Sequence, residues 1–298
     1  MPEYPIYGSK EMLDDAFPFK IEIRRPQTMN DVLHAHEHLQ LCYMRSGSCL
    51  HWAGGQCHVL AKGDLFSIPP FQEHRLERRE GMDFVMFQVD FMPHAIHESL
   101  RDLSSIETFV DFAFIRPLLA EADLLPKMTL TLPAQAVVES LLDVIAAEWE
   151  EKEEGYRLAI RAELLKLLVL TCRQYKRYSS ADGSRERQQV VYHRKAFFET
   201  IAYMESHYDE DLHLEDMAAR ALMAPSYFSN LLKLVKGKSY IELLSALRIS
   251  AAMELLLGTD LSVTEIATRA GYNHISHFNR TFKKHTGLTP GDYRKHQA

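Results

Sequence analysis

The stretch Glu265–Pro290, EIATRAGYNHISHFNRTFKKHTGLTP, decides how the C-terminal part of this chain folds. Apolar residues recur with helical spacing on both sides of Gly271, and this glycine predicts a turn between two helices. In the second helix the residues predicted for the core are Ile275, Phe278 and Phe282, and the polar stripe consists of Ser276, Asn279, Arg280 and Lys283. The stretch therefore predicts a helix–turn–helix whose second helix has one apolar and one polar face.

An upstream segment repeats this pattern: Asp216–Tyr240, DMAARALMAPSYFSNLLKLVKGKSY. The aligned residues are Met217 with Ile266, Arg220 with Arg269 and, after one inserted residue, Phe228 with Phe278, Lys233 with Lys283 and Gly237 with Gly287. The second helix of this copy again separates into two faces. Its predicted core consists of Phe228, Leu231, Leu232 and Val235, and its polar stripe of Ser226, Ser229, Asn230 and Lys233. The chain thus contains two copies of one short unit.

The two polar stripes have the chemistry that nucleic acid requires. Arginine can donate two hydrogen bonds to guanine, asparagine can pair with adenine, and lysine suits phosphate. A single stripe of this kind is usually a solvated helix face, but its duplication favours DNA binding. Ser239 and Glu242 predict a capping box that begins an intervening helix of about 27 Å. Such a spacer could present the two helices to successive major grooves, about 34 Å apart.

Composition is that of a globular protein with about two domains: 298 residues, 46% hydrophobic, 25% charged and net charge −7. The acidic excess lies before Val190, since the residues from there onward contain thirteen Lys/Arg against twelve Asp/Glu. The sequence has no apolar run long enough for a membrane helix and no signal peptide, and its four cysteines form no CxxC pair. We therefore expect reduced thiols, a cytoplasmic protein and no membrane partner.

The expected fold is α+β, with an N-terminal antiparallel β-sandwich or β-barrel and a helical hairpin, followed by an all-α double helix–turn–helix domain. Short apolar stretches between Gly and Pro residues predict β-structure over residues 15–92, and helical periodicity predicts the hairpin over 134–178. The hairpin could pack on the β region or form the seam of a homodimer. Polar residues 179–189 predict a linker between a first domain, 1–178, and a second domain, 190–298.

The C-terminal segments resemble AraC-type (AraC/XylS) transcriptional regulators. LEDMAARALMAPSYFSNLLKLVKG is similar to their first helix–turn–helix, and DLSVTEIATRAGYNHISHFNRTFKKHTGLTPGDYRKH to their second with the signature segment that follows. The resemblance implies a seven-helix DNA-binding domain. It assigns base-facing roles to Ser226, Ser229 and Asn230 and then to Ile275, Ser276, Asn279 and Arg280. The departures are Leu222 in place of a turn glycine, and Ala224 and His213 in place of helix-capping serines.

Two N-terminal motifs resemble those of cupins, the small β-barrels that often act as effector sensors in AraC-type regulators. The motifs are HAHEHLQLCYMRSG, from His34, and GDLFSIPPFQEH, from Gly63 to His74. The resemblance implies a divalent metal site formed by His34, His36, Gln40 and His74. Gln40 stands in place of the usual Glu and Phe71 in place of a Gly, so a metal-free interior remains the other interpretation. In that case the effector pocket would be formed by His34, His36, Gln40, Tyr43, Trp52 and His74, while His38 would lie on the surface.

The expected function is therefore sequence-specific transcription regulation, with a small molecule in the cupin modulating DNA binding. The expected partners are double-stranded DNA, the effector, a second copy of the chain and, if the protein activates transcription, RNA polymerase. The alternative is a metal-dependent cupin enzyme, an oxygenase or isomerase, fused to a DNA-binding module. We expect a non-enzyme, because the sequence contains no nucleophile–base constellation, P-loop or dinucleotide motif.

Overall fold

Two units make up the chain in a computed structural model, which describes residues 4–14, 16–28, 31–92, 106–118, 127–181 and 185–297. The first unit is Met1–Arg194 and the second is Lys195–Ala298. The predicted C-terminal domain begins slightly earlier, at Val190. Within the described residues, no helix combines the length and the apolar character that a membrane span would need.

The N-terminal unit contains the β-structure predicted from the apolar stretches. Its strands are β1 Ile6–Tyr7, β2 Phe19–Arg24, β3 Ala35–His36, β4 Leu39–Ala53, β5 Gln56–Ala61, β6 Asp64–Ile68, β7 His74–Arg78, β8 Phe84–Phe91 and β9 Lys127–Thr129. Strand β4 organises the sheet, because its first half pairs with β6 and β8 and its second half with β5 and β7. All these pairings are antiparallel. A register shift between Met44 and Ser46 marks the place where β4 changes partners.

The predicted barrel is not closed in the described part of the chain. The strands run in the order β2-β8-β4-β6-β9, with β5 and β7 also paired to β4, so β2 and β9 remain two separate edges. The predicted antiparallel sheet is confirmed, but its predicted closure into a barrel is wrong for the described residues. The 15-residue β4 crosses from one group of strands to the other, so a curved sheet forms without the final pairing that closure requires.

The N-terminal unit also contains helices, of which a helical hairpin packs against the sheet. The bounds are α1 Ser9–Met12, α2 Ile106–Val110 continued by a π-helical Asp111–Ile115 and by Arg116–Leu118, and the hairpin helices α3 Leu132–Glu151 and α4 Tyr156–Ala181. The Tyr43 hydroxyl donates to Glu139 of α3 at 2.8 Å, and Arg45 forms two hydrogen bonds with Asp143 at 2.6 and 3.1 Å. These contacts join the outer face of β4 directly to the hairpin.

Most of the segment predicted as a linker, residues 179–189, is helical in the described part of the chain. Helix α4 extends to Ala181 and helix α5 begins at Arg185, while residues 182–184 lie outside the described part. Arg, Glu and Gln dominate the segment Arg185–Gln189, and these residues have high helix propensity although they cannot form a core. Polarity alone therefore did not distinguish a coil from an exposed helix.

Seven helices follow residue 184, as the resemblance implied. They are α5 Arg185–Ser206, α6 Leu214–Arg220, α7 Pro225–Lys236, α8 Tyr240–Gly258, α9 Val263–Arg269, α10 Ile275–Thr286 and α11 Pro290–Gln297. The core that α8 to α11 share includes Ala252, Ile266, Phe278 and Phe282. The predicted capping box Ser239–Glu242 is present at the start of α8, and a second one, Ser262–Glu265, begins α9.

Candidate DNA-binding surface and ligand cavity

Helix α10 presents the predicted polar stripe to solvent. Phe278 and Phe282 are fully buried on one side, and on the other side lie the exposed residues Ser276, Asn279, Arg280 and Lys283. Ile275, predicted both for the core and for the base-facing set, is 40% exposed, so its core assignment is wrong. Ile275 is the first residue of α10 and projects before the first packed turn. Its exposure is compatible with the base-facing role, which remains a prediction.

Helix α7 repeats the arrangement with less exposure. Phe228, Leu231 and Leu232 are fully buried, whereas Ser226 and Lys233 are exposed and Ser229 and Asn230 are half-buried. The Asn230 amide donates to the Ser226 carbonyl, one turn earlier, at 2.8 Å. This amide is therefore partly engaged with its own helix, so a base would have to compete for it.

The turns before α7 and α10 have the same backbone path. Leu222 in the first turn has φ +59° and Gly271 in the second has φ +81°. The next residue in each turn donates back to the preceding helix: Met223 to Ala218 at 3.0 Å and Tyr272 to Ala267 at 2.9 Å. The first turn is thus retained rather than remodelled, although Leu222 is a residue type disfavoured in the left-handed region.

A cavity of about 120 Å³ lies in the N-terminal unit. Its lining consists of Tyr7, Met12, Arg24, His34, His36, His38, Gln40, His74, Leu76, Phe84, Met86 and Gln88. Four residues predicted for the effector pocket, His34, His36, Gln40 and His74, therefore meet at one site. Tyr43 and Trp52 lie elsewhere, since Tyr43 bonds to the helical hairpin and Trp52 lies beneath the Arg75 guanidinium at 4.8 Å.

Backbone pairing positions the cavity's histidines. His34 and His74 exchange two backbone hydrogen bonds, of 3.0 and 2.8 Å, and their ring centroids are 4.3 Å apart. The Phe71 amide donates to the His36 carbonyl at 2.8 Å, and Phe71 adopts φ +63° in the place where the resembling motif has glycine. The chain therefore fixes this rim of the cavity by main-chain contacts and accepts a strained residue to do so.

His38, predicted to lie on the surface, is buried and stacks on His36 with ring centroids 4.1 Å apart. Residues separated by two positions in extended chain point to the same face, so His38 shares the inward direction of His36 and Gln40. The same alternation along β8 gives the inward residues Phe84, Met86 and Gln88. That signal was available in the sequence, whereas the contributions of Tyr7 and Met12 depend on how the N-terminal segment folds back.

Three imidazoles at the cavity have their Nδ1 atoms directed at backbone carbonyls. The distances are 2.7 Å from His34 to Val32, 2.8 Å from His36 to His38 and 3.0 Å from His74 to Gln72. A carbonyl oxygen only accepts, so each Nδ1 must be protonated, and in the neutral ring each Nε2 then retains a lone pair. The Nε2 of His36 is buried and lacks a hydrogen-bond partner among the described residues.

Burial keeps these rings neutral near pH 7. Desolvation lowers the pKa of His36 to about 3, and the neighbouring His38 adds to the effect. Desolvation also lowers the pKa of His38 to about 4 and moves the pKa of His74 well below its ordinary value. The pKa of the partly buried His34 is lowered for the same reason. The cavity wall thus presents imidazoles rather than imidazolium cations.

Three polar side chains of the wall, Arg24, Gln40 and Gln88, form a hydrogen-bond network with the buried Asp90 behind them. The amides of Gln40 and Gln88 donate to the two oxygens of Asp90, both at 2.8 Å. Arg24 donates to Gln88 at 3.0 Å and to the Thr28 carbonyl at 3.0 Å, and it contacts Glu22 at 2.6 Å. Desolvation raises the pKa of the buried Asp90 carboxyl, and the two amide hydrogen bonds oppose that rise.

The predicted metal set fits this arrangement poorly. In the described part of the chain, no group of three or more His, Cys, Asp or Glu side chains is arranged to hold a metal ion. Gln40 brings no charge, and the nearby Asp90 already accepts from two amides. We therefore assign no metal to His34, His36, Gln40 and His74.

Comparison with known proteins connects both units to one group of regulators. A family described as AraC-like ligand binding domain matches residues 21–168, and a family described as helix-turn-helix domain matches residues 217–296. The uncharacterized HTH-type transcriptional regulator YfiF of Bacillus subtilis is 23% identical over 89% of this chain and 79% of its own length. The HTH-type transcriptional activator RhaR of Yersinia pestis is 21% identical over 95% of this chain and 91% of its own length.

A third relative matches over a shorter length. The regulatory protein PocR of Salmonella typhimurium is 28% identical over 147 residues, which is 47% of this chain and 48% of PocR. The chain therefore spans about half the length of that relative. Its similarity concerns part of each protein only.

Proposed function

The chain belongs to the AraC family of transcriptional regulators, with a ligand-binding domain followed by a helix–turn–helix DNA-binding domain, and we propose that it reads specific DNA sequences through α7 and α10. The observation that carries this proposal is the division of α10, whose apolar face is buried while Arg280 and Asn279 remain exposed. The exposed set proposed to contact double-stranded DNA is Ser226, Ser229, Asn230, Lys233, Ile275, Ser276, Asn279, Arg280 and Lys283. Because the DNA that such a regulator binds lies inside the cell, we place this activity in the cytoplasm.

A small-molecule effector would bind in the histidine-lined cavity and modulate DNA binding. Strand β4 offers a route for this effect, because Gln40 lines the cavity while Tyr43 and Arg45, further along the strand, hold α3 of the hairpin. A ligand that shifts β4 would therefore change the position of the hairpin. The energetic requirement is only that the ligand binds the two arrangements with different affinity.

The helical hairpin is the surface we propose for a homodimer. Val137 and Val144 are exposed seven residues apart on one face of α3, and Leu132 and Leu158 are also largely exposed. Apolar side chains in such an arrangement are typical of a surface that a second copy covers. If the protein activates transcription, RNA polymerase would be a further partner.

DNA selected by the purified protein from a random pool supplies the target for a direct test. Arg280→Ala should weaken binding to the selected DNA by about 1–3 kcal/mol and relax the preference at one base position. Lys283→Ala should weaken binding to selected and random DNA alike and reduce the slope of log affinity against log salt by about one. Arg173→Ala removes one positive charge from an exposed position on α4 and serves as the charge-matched control.

Loss of equal size on selected and random DNA for Arg280→Ala would contradict base reading by this residue. The relatives that align over most of the chain are named as transcriptional regulators, which supports a role other than catalysis.

A further inference from the structure

The cavity wall has unused hydrogen-bond acceptors. The Nδ1–H groups of His34, His36 and His74 are all directed at main-chain carbonyls, which leaves an accepting lone pair on each Nε2. All three rings line the cavity, with centroids 4.3, 4.9 and 6.3 Å apart. The Nε2 of His36 is buried without a partner among the described residues, which is costly, so this geometry favours a ligand that brings donors.

The guanidinium and amide donors of the same wall already point to other protein groups. Three nitrogen atoms of Arg24 point to Gln88, to the Thr28 carbonyl and to Glu22. The amides of Gln40 and Gln88 both point to Asp90, which places a carboxyl group directly behind the cavity. An anionic ligand would therefore face imidazole lone pairs and a buried acid, while the arginine charge is balanced by Glu22.

From these contacts we propose that the cavity binds a small, uncharged or cationic molecule that presents at least two O–H or N–H donors to His34, His36 and His74. This inference rests on the proposed function and adds to it the chemical class of the effector. The volume of about 120 Å³ restricts the ligand to the size range of a single small ring, since an apolar cavity of about 150 Å³ holds benzene. Leu76, Phe84 and Met86 supply an apolar wall for its carbon skeleton.

The tautomer of the rings provides a test that needs no ligand. Nitrogen NMR of the full-length protein labelled at histidine, at pH 7.5, should show His36 and His74 as neutral rings protonated at Nδ1. Observation of Nε2–H tautomers or of imidazolium at these positions would overturn the proposal, because the accepting lone pairs would then be absent.

Binding is tested by calorimetry on the full-length protein with four probes: erythritol, 2-amino-1,3-propanediol, succinate and Zn²⁺. Erythritol or the aminodiol should bind and perturb the Nε2 resonances, and the pair distinguishes a hydroxyl donor from an ammonium donor. His34→Phe should weaken that binding about tenfold, which corresponds to one hydrogen bond. His34 is only partly buried, and His58→Phe, on the same sheet outside the cavity lining, is the matched control.

Binding of succinate or Zn²⁺ alone, or of none of the four probes, would overturn the proposed ligand class. Selected-DNA binding measured on the same preparations separates this failure from failure of the proposed function. If the protein reads DNA through Arg280 but binds only succinate, the proposed function is supported and the proposed ligand class is refuted. If it binds erythritol or the aminodiol but does not read DNA through Arg280, the ligand class is supported and the proposed function is refuted.

Discussion

The two helix–turn–helix units have the same fold but are stabilised by different local features. The second unit uses Gly271 where the backbone turns left-handed, whereas the first places Leu222, which is 42% exposed, at the same point. Helix α9 begins with a complete capping box at Ser262, while α6 begins at His213 without a side-chain cap among the described residues. Leu222 and His213 are therefore real differences in local stabilisation, whereas the N-caps of α7 and α10, Ala224 and His274, both lack a side-chain cap among the described residues.

The comparison shows that buried side chains maintain the first unit despite its weaker turn and cap. Phe228, Leu231 and Leu232 are fully buried in α7, as Phe278 and Phe282 are in α10. Burying one large apolar side chain contributes about 1.5–3 kcal/mol, which exceeds the cost of one left-handed leucine, about 1–2 kcal/mol. Packing can thus retain a turn that local preference disfavours.

The largest effect is expected from a side chain at the second turn. Gly271→Ala should lower the free energy of unfolding of the C-terminal unit by about 2–4 kcal/mol, because backbone strain and overpacking combine. A Cβ atom at Gly271 would lie 2.8 Å from the Asp209 Cα and 2.9 Å from its carbonyl oxygen. Urea unfolding followed by circular dichroism measures the change. Gly287→Ala is the matched control, since Gly287 has φ +79° with open space around it, and equal losses for both variants would exclude a steric contribution.

The second comparison concerns the asparagines of the two polar stripes. Asn279→Ala should weaken binding to selected DNA by about 1–3 kcal/mol, as expected for an amide that pairs with a base. Asn230→Ala should cost less, because the Asn230 amide already donates to the Ser226 carbonyl and must give up that bond to reach a base. Fluorescence anisotropy with selected and random duplexes measures both. A larger loss for Asn230→Ala would mean that the first unit is the dominant reader.

Restoring glycine to the first turn should stabilise it modestly. Leu222→Gly relieves about 1–2 kcal/mol of left-handed strain and loses about 0.4–1 kcal/mol through the greater freedom of the unfolded chain, so a net gain of roughly 0.5–1 kcal/mol is expected. Leu222→Ala retains the Cβ atom and the strain while removing the exposed side chain. If the alanine variant gains as much stability as the glycine variant, strain at φ +59° is not the cause.

The smallest expected effect is a pH dependence of the stability of the second helix–turn–helix unit, which contains the Ser262–Glu265 capping box. Hydrogen bonds from the Ser262 hydroxyl and backbone N–H lower the pKa of Glu265 below its ordinary value of 4.5. Its contribution to stability is therefore complete above pH 4.5 and is lost as the pH falls through the lower pKa of the folded protein. Glu265→Gln should show a difference from the parent protein that shrinks as the pH decreases from 6 to 3. Thermal unfolding measures it, and a difference independent of pH would exclude the carboxylate as its source.

Much of the candidate DNA-binding surface was predictable, because helical periodicity in α7 and α10 separates buried from exposed positions directly. Ile275 was one exception, since periodicity does not show where packing begins at the end of a helix. Val235 was another, because it is half-buried while its neighbour Leu234 is fully buried. The cavity was predicted in part. The spacing of the cupin-like motifs identified His34, His36, Gln40 and His74. Tyr43 was assigned to the wrong face: it lies three positions after Gln40 on β4, so alternation along the strand places the two side chains on opposite faces.

What the sequence by itself determined is the repeat, the helix order and the exposed polar stripes, because these depend on contacts between residues a few positions apart. Tertiary structure alone decided the open sheet and the contributions of Tyr7 and Arg24 to the cavity. It also directed the Nδ1–H groups of His34, His36 and His74 to backbone carbonyls, which leaves an accepting lone pair on each Nε2. Such features depend on which distant strands pair and how closely they pack, and residue spacing along the chain does not encode these distances.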